Sequence, residues 1–354
     1  LVSSYRDLPK FYNQWCSVVR WEKTTRPFLR GAEFLWQEGD CLFETEEEAR
    51  NNALAMLKAY DECGKDLLAI PFVKGIKTDH EKFAGAVETY TIEALMHDGK
   101  ALQSGTTHYL GQGFAEAFGI HFLGRNNKLE TPHQTSWGVS TRLLGAIIMV
   151  HGDDNGLVLP PMVAPIQVVI VPIKQNADGI LTKCHEIETK LNSLGVRVKV
   201  DDSDHTPGWK FAQWEMKGVP LRIELGPRDL ANNQICLTKR VNGEKIVSSI
   251  EEIENKILSL LKEIHNDMYN KAKSFLDSHI SEVHTIEELK EVLNNKGGYA
   301  KMMWCGDEEC EIKVKEITQG GTARCIGVSD AHFGSTCPIC GKKADKVVYF
   351  AKAY

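Results

Sequence analysis

Two segments constrain this chain more than any other feature: Val18-Val19-Arg20-Trp21-Glu22, and then Phe28-Leu29-Arg30-Gly31-Ala32-Glu33-Phe34-Leu35-Trp36-Gln37-Glu38-Gly39. The pattern reads as a strand, a loop and a returning strand carrying two arginines, an aromatic pair and two carboxylates. Planar guanidinium forks clamp phosphate oxygens, and an aromatic ring stacks on a base. Val18 and Val19 lead straight into Arg20, so the arginine is expected to emerge from a buried strand beside Trp21. Far along the chain, Gly138-Val139-Ser140-Thr141-Arg142 offers a third arginine. Convergence of these segments would make a nucleoside triphosphate site without a P-loop.

At 354 residues the chain is long enough for two or three domains. Composition is that of a globular protein, with 42% hydrophobic and 25% charged residues. No apolar run reaches the roughly 18–20 residues of a membrane span, so a membrane is not an expected partner. A net charge of −6 argues against an indiscriminate nucleic-acid coat, and DNA is not expected either. The sequence begins Leu1-Val2-Ser3-Ser4, with neither an initiator methionine nor a secretory pattern. It reads as beginning inside a longer gene product. Five cysteines are scattered before residue 240 and five fall between Cys305 and Cys340. The cluster fits metal binding in a reducing compartment, and a cytoplasmic location is expected.

Hydrophobic spacing divides the chain at residues 1–165, 166–267 and 268–354. Residues 44–70 read as a surface helix burying Leu54, Leu57, Cys63, Leu67 and Leu68. Residues 143–150 are a continuous apolar run, read as a buried helix; the glycine-bounded turn after it should lead into a short strand. Pro160, Pro161 and Pro165 mark a boundary. Beyond it, residues 166–173, 196–200 and 219–225 have strand character. Residues 182–194 are helical through Cys184, Ile187, Leu191 and Leu194, and an amphipathic helix over 250–268 closes this mixed α/β unit. The last segment begins helical and ends cysteine-bearing.

Three further constellations carry chemistry. Gln103-Ser104-Gly105-Thr106-Thr107-His108 has the hydroxyl, amide and imidazole groups of a polar pocket, but reads slightly better as a turn. Cys305-x4-Cys310 and Cys337-x2-Cys340 supply four thiolates, enough for a closed structural zinc site, with Cys325 as a possible substitute ligand. The stretch 208–218 interleaves Trp209, Phe211 and Trp214 with Lys210, Glu215 and Lys217, and runs on to Arg222, Arg228 and Asp229. Such a segment suits splayed single-stranded bases, or equally an aromatic core edge.

Taken together, these strings closely resemble the prolyl-tRNA synthetases, class II aminoacyl-tRNA synthetases, over nearly the whole chain. The resemblance rests on Arg6-Asp7-Leu8-Pro9, Asn13-Gln14-Trp15, residues 20–39 as motif 2, and Lys82-Phe83-Ala84-Gly85. It continues through Ser136-Trp137-Gly138 to Arg142 with His151-Gly152-Asp153 as motif 3, and on to residues 208–229. The short separation of motifs 2 and 3 leaves no room for a large editing insertion, and the cysteine tail is similar to the archaeal and eukaryotic type. The resemblance implies an α/β (α+β) fold: a class II antiparallel sheet with helices over 1–165, a mixed α/β anticodon-binding domain over 166–267, and a small zinc-binding domain over 268–354. It implies proline activation by ATP with Mg²⁺, transfer to proline tRNA, and a homodimer.

Carried over residue by residue, Arg20 would hold the α-phosphate and the proline carboxylate, and Arg30 and Arg142 the distal phosphates. Arg20 and Arg142 would be the catalytic pair. Phe34 would stack on adenine with Glu22 at its amino group, and Gln103, Thr106 and Thr141 would lie near the nucleotide. Trp36, Glu38, Phe83, Thr106 and His108 would shape the proline pocket. Glu215, Arg222, Arg228 and Asp229 would read anticodon bases. The chain departs from the pattern in three ways. It lacks motif 1 and the upstream Thr-x-Glu loop, and so reads as the C-terminal part of the enzyme. Asp40 stands where the family has histidine, which would alter pocket charge. Ala86-Val87-Glu88 replaces a glycine-rich turn. Two other readings compete: a non-catalytic synthetase-derived binding protein, and another class IIa synthetase. Finally, the aromatic ending at residues 350–354 is expected to pack on the catalytic part.

Overall fold

The computed structural model describes residues 2–354, which form two compact units. The first comprises residues 2–63, Pro71–Ala146 and Phe275–Tyr354; the second comprises Gly64–Ile70 and Ile147–Ser274.

The first unit is built on one ten-stranded sheet. From its edge the strands run Lys10–Val19, Glu33–Phe43, His133–Ser140, Ala101–Gly111, Glu88–Leu95 and Val73–Ile76, and then Thr322–Ile326, Lys346–Ala351, Tyr299–Trp304 and Ile280–Val283. Every pairing is antiparallel except the last. The class II expectation of an antiparallel sheet with helices therefore holds, and the cysteine-bearing tail extends that same sheet. In the tail, Trp304, Cys310, Val314, Cys337, Val348 and Phe350 share one apolar cluster. A buried ion network joins the two halves of the sheet. Glu93, fully enclosed, accepts from Lys77 Nζ at 2.7 Å and from Arg324 Nε and Nη2 at 3.0 and 2.9 Å. Burial alone would raise the Glu93 carboxyl; its two cationic partners hold it below the ordinary carboxylate range. The chain's ending folds back as expected. Tyr354 N–H donates to Ala101 O at 3.2 Å, and its ring lies under the guanidinium of Arg26.

The second unit has a five-stranded mixed sheet in the order Val198–Val200, Val168–Pro172, Leu221–Leu225, Gln234–Lys239, Lys245–Ser249. The first two pairings are parallel and the last two antiparallel. Helix Ile180–Ser193 buries Ile180, Cys184, Ile187 and Leu191 on the sheet at the spacing read from sequence. The amphipathic helix is Ile253–Ser278, running well beyond Met268.

Several local expectations are corrected. The strand preceding Arg20 is not buried: it is the sheet edge, and Trp15, Val19 and Trp21 are 79%, 77% and 97% exposed. Helix Glu46–Cys63 buries Ala49 and Ala53, while Leu54 faces outward, because small residues let the helix sit close on the sheet; Leu67, in the separate turn Gly64–Leu68, is exposed as well. Leu194 is also exposed. Helix Arg142–His151 forms as read, but Leu144 is exposed. After it comes only a turn closed between Asp153 and Gly156, not a strand. Residues 103–108 are not a turn; they lie inside the strand Ala101–Gly111, paired on both sides. Residues 207–216 form a helix, with Trp214 buried. In the segment 85–88, only Gly85 has a positive φ (+89°), so Ala86 and Val87 replace glycine without strain.

Candidate functional site

The arginine loop leaves the edge strand at Arg20, whose N–H donates to Ala32 O at 2.8 Å. It then narrows to a tight turn in which Arg26 and Arg30 exchange both main-chain hydrogen bonds, at 2.8 and 2.9 Å. Phe28 at the turn takes φ +59°, an uncommon conformation for a non-glycine residue. Beyond the turn, the strand Glu33–Phe43 alternates its faces, placing Phe34, Trp36 and Glu38 on one side.

Facing them are Gln103, Thr106 and His108 of the strand Ala101–Gly111, and Arg142 at the start of its helix. Together they enclose a cleft of about 430 Å³, a size that suits a small ligand. Arg20, Glu22, Arg30, Phe34, Trp36, Glu38, Phe83, Gln103, Thr106, His108 and Arg142 all line it. Thr141 does not; its N–H is spent on Leu35 O at 3.0 Å. Asp40, two residues past Glu38, does not line the cleft; burial and the neighbouring Glu38 push its carboxyl up.

The geometry is that of a cationic slot with aromatic walls. The guanidinium of Arg20 lies 5.3 Å from the ring centre of Phe34 and 5.6 Å from that of Trp36. Arg30 pairs with Glu22 at 3.2 Å. Arg142 donates to two main-chain carbonyls, Leu29 O at 2.9 Å and Gln103 O at 3.3 Å. Burial, then Arg30 and Arg20, push the Arg142 guanidinium down from its ordinary value. Three cations so close would repel one another without an anion among them.

At the other end, the Phe83 ring sits 5.0 Å from His108, whose Nδ1 pairs with Thr89 Oγ1 at 2.9 Å. Burial pushes the His108 imidazole down to about 4, so the ring is neutral at pH 7. Trp36 Nε1–H donates to Cys16 Sγ at 3.0 Å, and Glu38 accepts from Gln14 Nε2 at 2.8 Å. Trp137 backs this end against Gly39, where a Cβ would stand 2.2 Å from the indole ring. Sequence reasoning missed Trp137, Lys77 and Glu81 as lining residues. The motif string Ser136-Trp137-Gly138 was a usable signal for the first; nothing local marks the other two.

The second unit has its own concavity of about 420 Å³, lined by Asp153, Trp214, Glu215, Arg222, Lys239, Arg240, Asn242 and others. Glu215 accepts from Asn155 Nδ2 at 3.1 Å, and Arg222 lies 4.0 Å over the Phe211 ring while bonding Glu224. Arg228 and Asp229 are outside this concavity. Arg228 is exposed, and Asp229 caps its own short helix through Gly226 N–H at 2.9 Å.

Cys305, Cys310, Cys337 and Cys340 converge, with all four sulfurs within 4.8 Å of one another. Cys305 Sγ is 3.7 Å from both Cys310 Sγ and Cys340 Sγ. A tetrahedron with zinc–sulfur bonds of about 2.3 Å has edges of about 3.8 Å, so the spacing fits. Cys325 is not a ligand candidate: it is fully buried in a separate apolar cluster with Val73, Leu95 and Tyr299.

Comparison with known families gives three matches in chain order. Residues 1–151 match the tRNA synthetase class II core domain (G, H, P, S and T), 167–260 the anticodon binding domain, and 286–354 the C-terminal domain of prolyl-tRNA synthetase. The chain is 55% identical, over all 354 of its residues and 74% of the relative, to a proline–tRNA ligase of Clostridium botulinum (strain Loch Maree / Type A3). The same coverage holds for proline–tRNA ligases of Lachnoclostridium phytofermentans, at 55%, and Agathobacter rectalis, at 56%.

Proposed function

Because the chain belongs to the prolyl-tRNA synthetases, we propose that the arginine-lined cleft is where it activates proline, with Arg20 and Arg142 as the catalytic residues. The activity is that of a proline–tRNA ligase: L-proline and ATP give prolyl-adenylate and pyrophosphate, and the prolyl group then passes to proline tRNA. Identity across the whole chain and the proline-specific C-terminal match speak against the non-catalytic and other class IIa readings. The observation that carries the site assignment is the convergence of Arg20, Arg30 and Arg142 on one cleft beside Phe34.

In the first step a proline carboxylate oxygen attacks the α-phosphorus and pyrophosphate leaves. Both reactants are anions, so the barrier is one of repulsion and alignment. Arg20, at the mouth between Phe34 and Trp36, would bridge the carboxylate and the α-phosphate. Arg30 and Arg142 would hold the leaving pyrophosphate, with Arg30 exchanging its contact with Glu22 for phosphate oxygens. Phe34 offers a face for adenine, and Glu22 an acceptor for its amino group. Gln103 and Thr106 line the join between nucleotide and amino acid. Trp36, Glu38, Phe83 and the neutral His108 would enclose the pyrrolidine ring. In the second step a ribose hydroxyl at the tRNA 3′ end attacks the prolyl carbonyl and AMP leaves.

Mg²⁺, which ATP brings with it, would neutralise phosphate charge; Gln103, whose main chain Arg142 contacts, offers an oxygen donor on the nucleotide side of the cleft. Zn²⁺ would be held by Cys305, Cys310, Cys337 and Cys340 as a closed structural site. We assign residues 1–165 to catalysis, 166–267 to anticodon binding and 268–354 to the zinc-bearing tail. Glu215 and Arg222 would read anticodon bases. The exposed apolar edge strand, with Trp15, Val19 and Trp21, suits a homodimer contact. No helix among the described residues is long and apolar enough to cross a membrane, and the reduced cysteine cluster suits the cytoplasm.

A non-hydrolysable prolyl-sulfamoyl adenosine tests this assignment. It should raise the melting temperature of the protein, and Arg20→Ala should abolish that shift. An equal shift with the threonyl or glycyl analogue would contradict proline specificity.

A further inference from the structure

The cleft's amino-acid end includes a loop that is held both by the catalytic strands and by the tail. Residues 78–87 leave the sheet after Ile76 and return at Glu88; Glu81 and Phe83 are the two that face the cleft. Its base is closed by Lys77 N–H to Thr89 O at 2.8 Å and Val87 N–H to Tyr109 O at 2.9 Å. The loop's own turn is pinned at Thr78, whose carbonyl accepts from Glu81 and Lys82 N–H at 3.1 and 2.9 Å. Thr78 is 2% exposed, and its hydroxyl donates to Glu311 Oε1 at 2.9 Å.

Glu311 is an unusual partner. It is 3% exposed, sits on helix Glu308–Ile317 of the tail, and has a second carboxylate oxygen with no hydrogen-bond partner. A carboxylate is costly to bury, and this one spends its only side-chain hydrogen bond on Thr78. One turn earlier on the same helix, Glu308 pairs with His80 Nδ1 at 2.8 Å. The helix itself starts at the metal cluster, since Cys310 is its third residue and lies next to Glu311. Two contacts from one helix thus reach the same three-residue segment, directly before Glu81.

We propose that Glu311 is a positioning residue for the proline pocket: through Thr78 it sets the register of loop 78–87, and with it the placement of Phe83 against His108. This rests on the reading of Phe83 and His108 as walls of that pocket. The effect runs in one direction. Phe83 N–H donates to Thr89 Oγ1 at 3.1 Å, and the same hydroxyl pairs with His108. A loop slipped at Thr78 therefore moves the Phe83 ring relative to the imidazole. Arg142, Arg30 and Phe34 lie on other elements and are untouched, so the nucleotide half of the cleft should not respond.

The test is amino-acid-dependent ATP–pyrophosphate exchange on the full protein, with KM for proline and KM for ATP measured separately. Glu311→Ala and Thr78→Val should each raise the proline KM about fivefold, the worth of one net hydrogen bond, and leave the ATP KM unchanged. Glu311→Gln and Thr78→Ser keep an acceptor and a hydroxyl, and should restore the wild-type proline KM. The double variant Thr78→Val/Glu311→Ala should be no worse than either single one. Equal rises in both KM values, or fully additive effects, would overturn the proposal and leave Glu311 a stabilising contact alone. Phe83→Ala separates the two claims. If it raises the proline KM while Glu311→Ala and Thr78→Val do not, only the positioning role fails. If Phe83→Ala has no effect either, the pocket assignment itself fails.

Discussion

Arg142 donates from Nε to the main-chain carbonyl of Leu29 at 2.9 Å, across 113 positions of sequence. Its Nη1 is held at the same time by Gln103 O. The helix-start arginine and the arginine loop are thereby locked into one wall of the cleft. A guanidinium can make both contacts and still present N–H groups to a ligand, whereas an ammonium cannot span them. Arg142→Lys should raise the ATP KM in pyrophosphate exchange by roughly tenfold to a hundredfold, the worth of a hydrogen bond to a charged group. Proline KM should change far less. An unaltered ATP KM would remove Arg142 from the phosphate site.

The neutral His108 makes a prediction about pH. Its folded-state pKa lies at about 4 and that of an unfolded imidazole at about 6.5. Between those values the unfolded chain binds more protons, so stability falls as pH drops from about 6.5 toward 4. His133 and His151 are shifted downward too and steepen the same decline. His108→Asn should flatten the pH dependence of the melting temperature in that window, while leaving it unchanged above pH 7. Parallel curves for wild type and variant would show that His108 is not held neutral by the fold.

Sulfur geometry predicts metal stoichiometry. Purified protein should carry about one zinc per chain, as a closed four-sulfur site requires. Cys337→Ser should lower both zinc content and melting temperature, because Cys337 is buried within the tail's apolar cluster. Cys325→Ser should leave zinc content intact, since that sulfur belongs to a separate cluster. Zinc lost in Cys325→Ser but retained in Cys337→Ser would reverse the assignment.

How much of this was legible in the sequence depended on how local the signal was. The thiolate pairs were legible because ligand spacing is written within a few residues, although only packing could rule out Cys325. The arginine loop was legible because its two strands adjoin in sequence. Residues 103–108 were misread as a turn: Ser104, Gly105 and Thr106 have turn composition, and only pairing with strands on both sides makes them sheet. The exposed edge strand was misread for the related reason that Val18 and Val19 look like core until their place at the sheet edge is known. Glu93 with Arg324, and Thr78 with Glu311, lie more than 230 residues apart and leave no local trace. Asp229, expected at an anticodon base, has one carboxylate oxygen on Gly226 N–H, a capping contact that the sequence string alone does not reveal.

In the second unit, Arg222 lies over Phe211 inside the Glu215 concavity. Arg222→Ala should raise the KM for proline tRNA in aminoacylation by about tenfold or more, in line with the loss of a base contact of 1–3 kcal/mol. Pyrophosphate exchange, which needs no tRNA, should be unaffected. A matching fall in exchange would mean that the substitution damages the fold rather than tRNA recognition.

The most direct measurement is amino-acid-dependent ATP–pyrophosphate exchange, comparing proline, cysteine, alanine and threonine on wild-type protein and Arg20→Ala. The cleft described here predicts exchange that is strongest with proline and is lost with Arg20, while folding and zinc content remain those of the wild type. Full proline-dependent exchange in Arg20→Ala would contradict the assignment of the cleft as the site of adenylation.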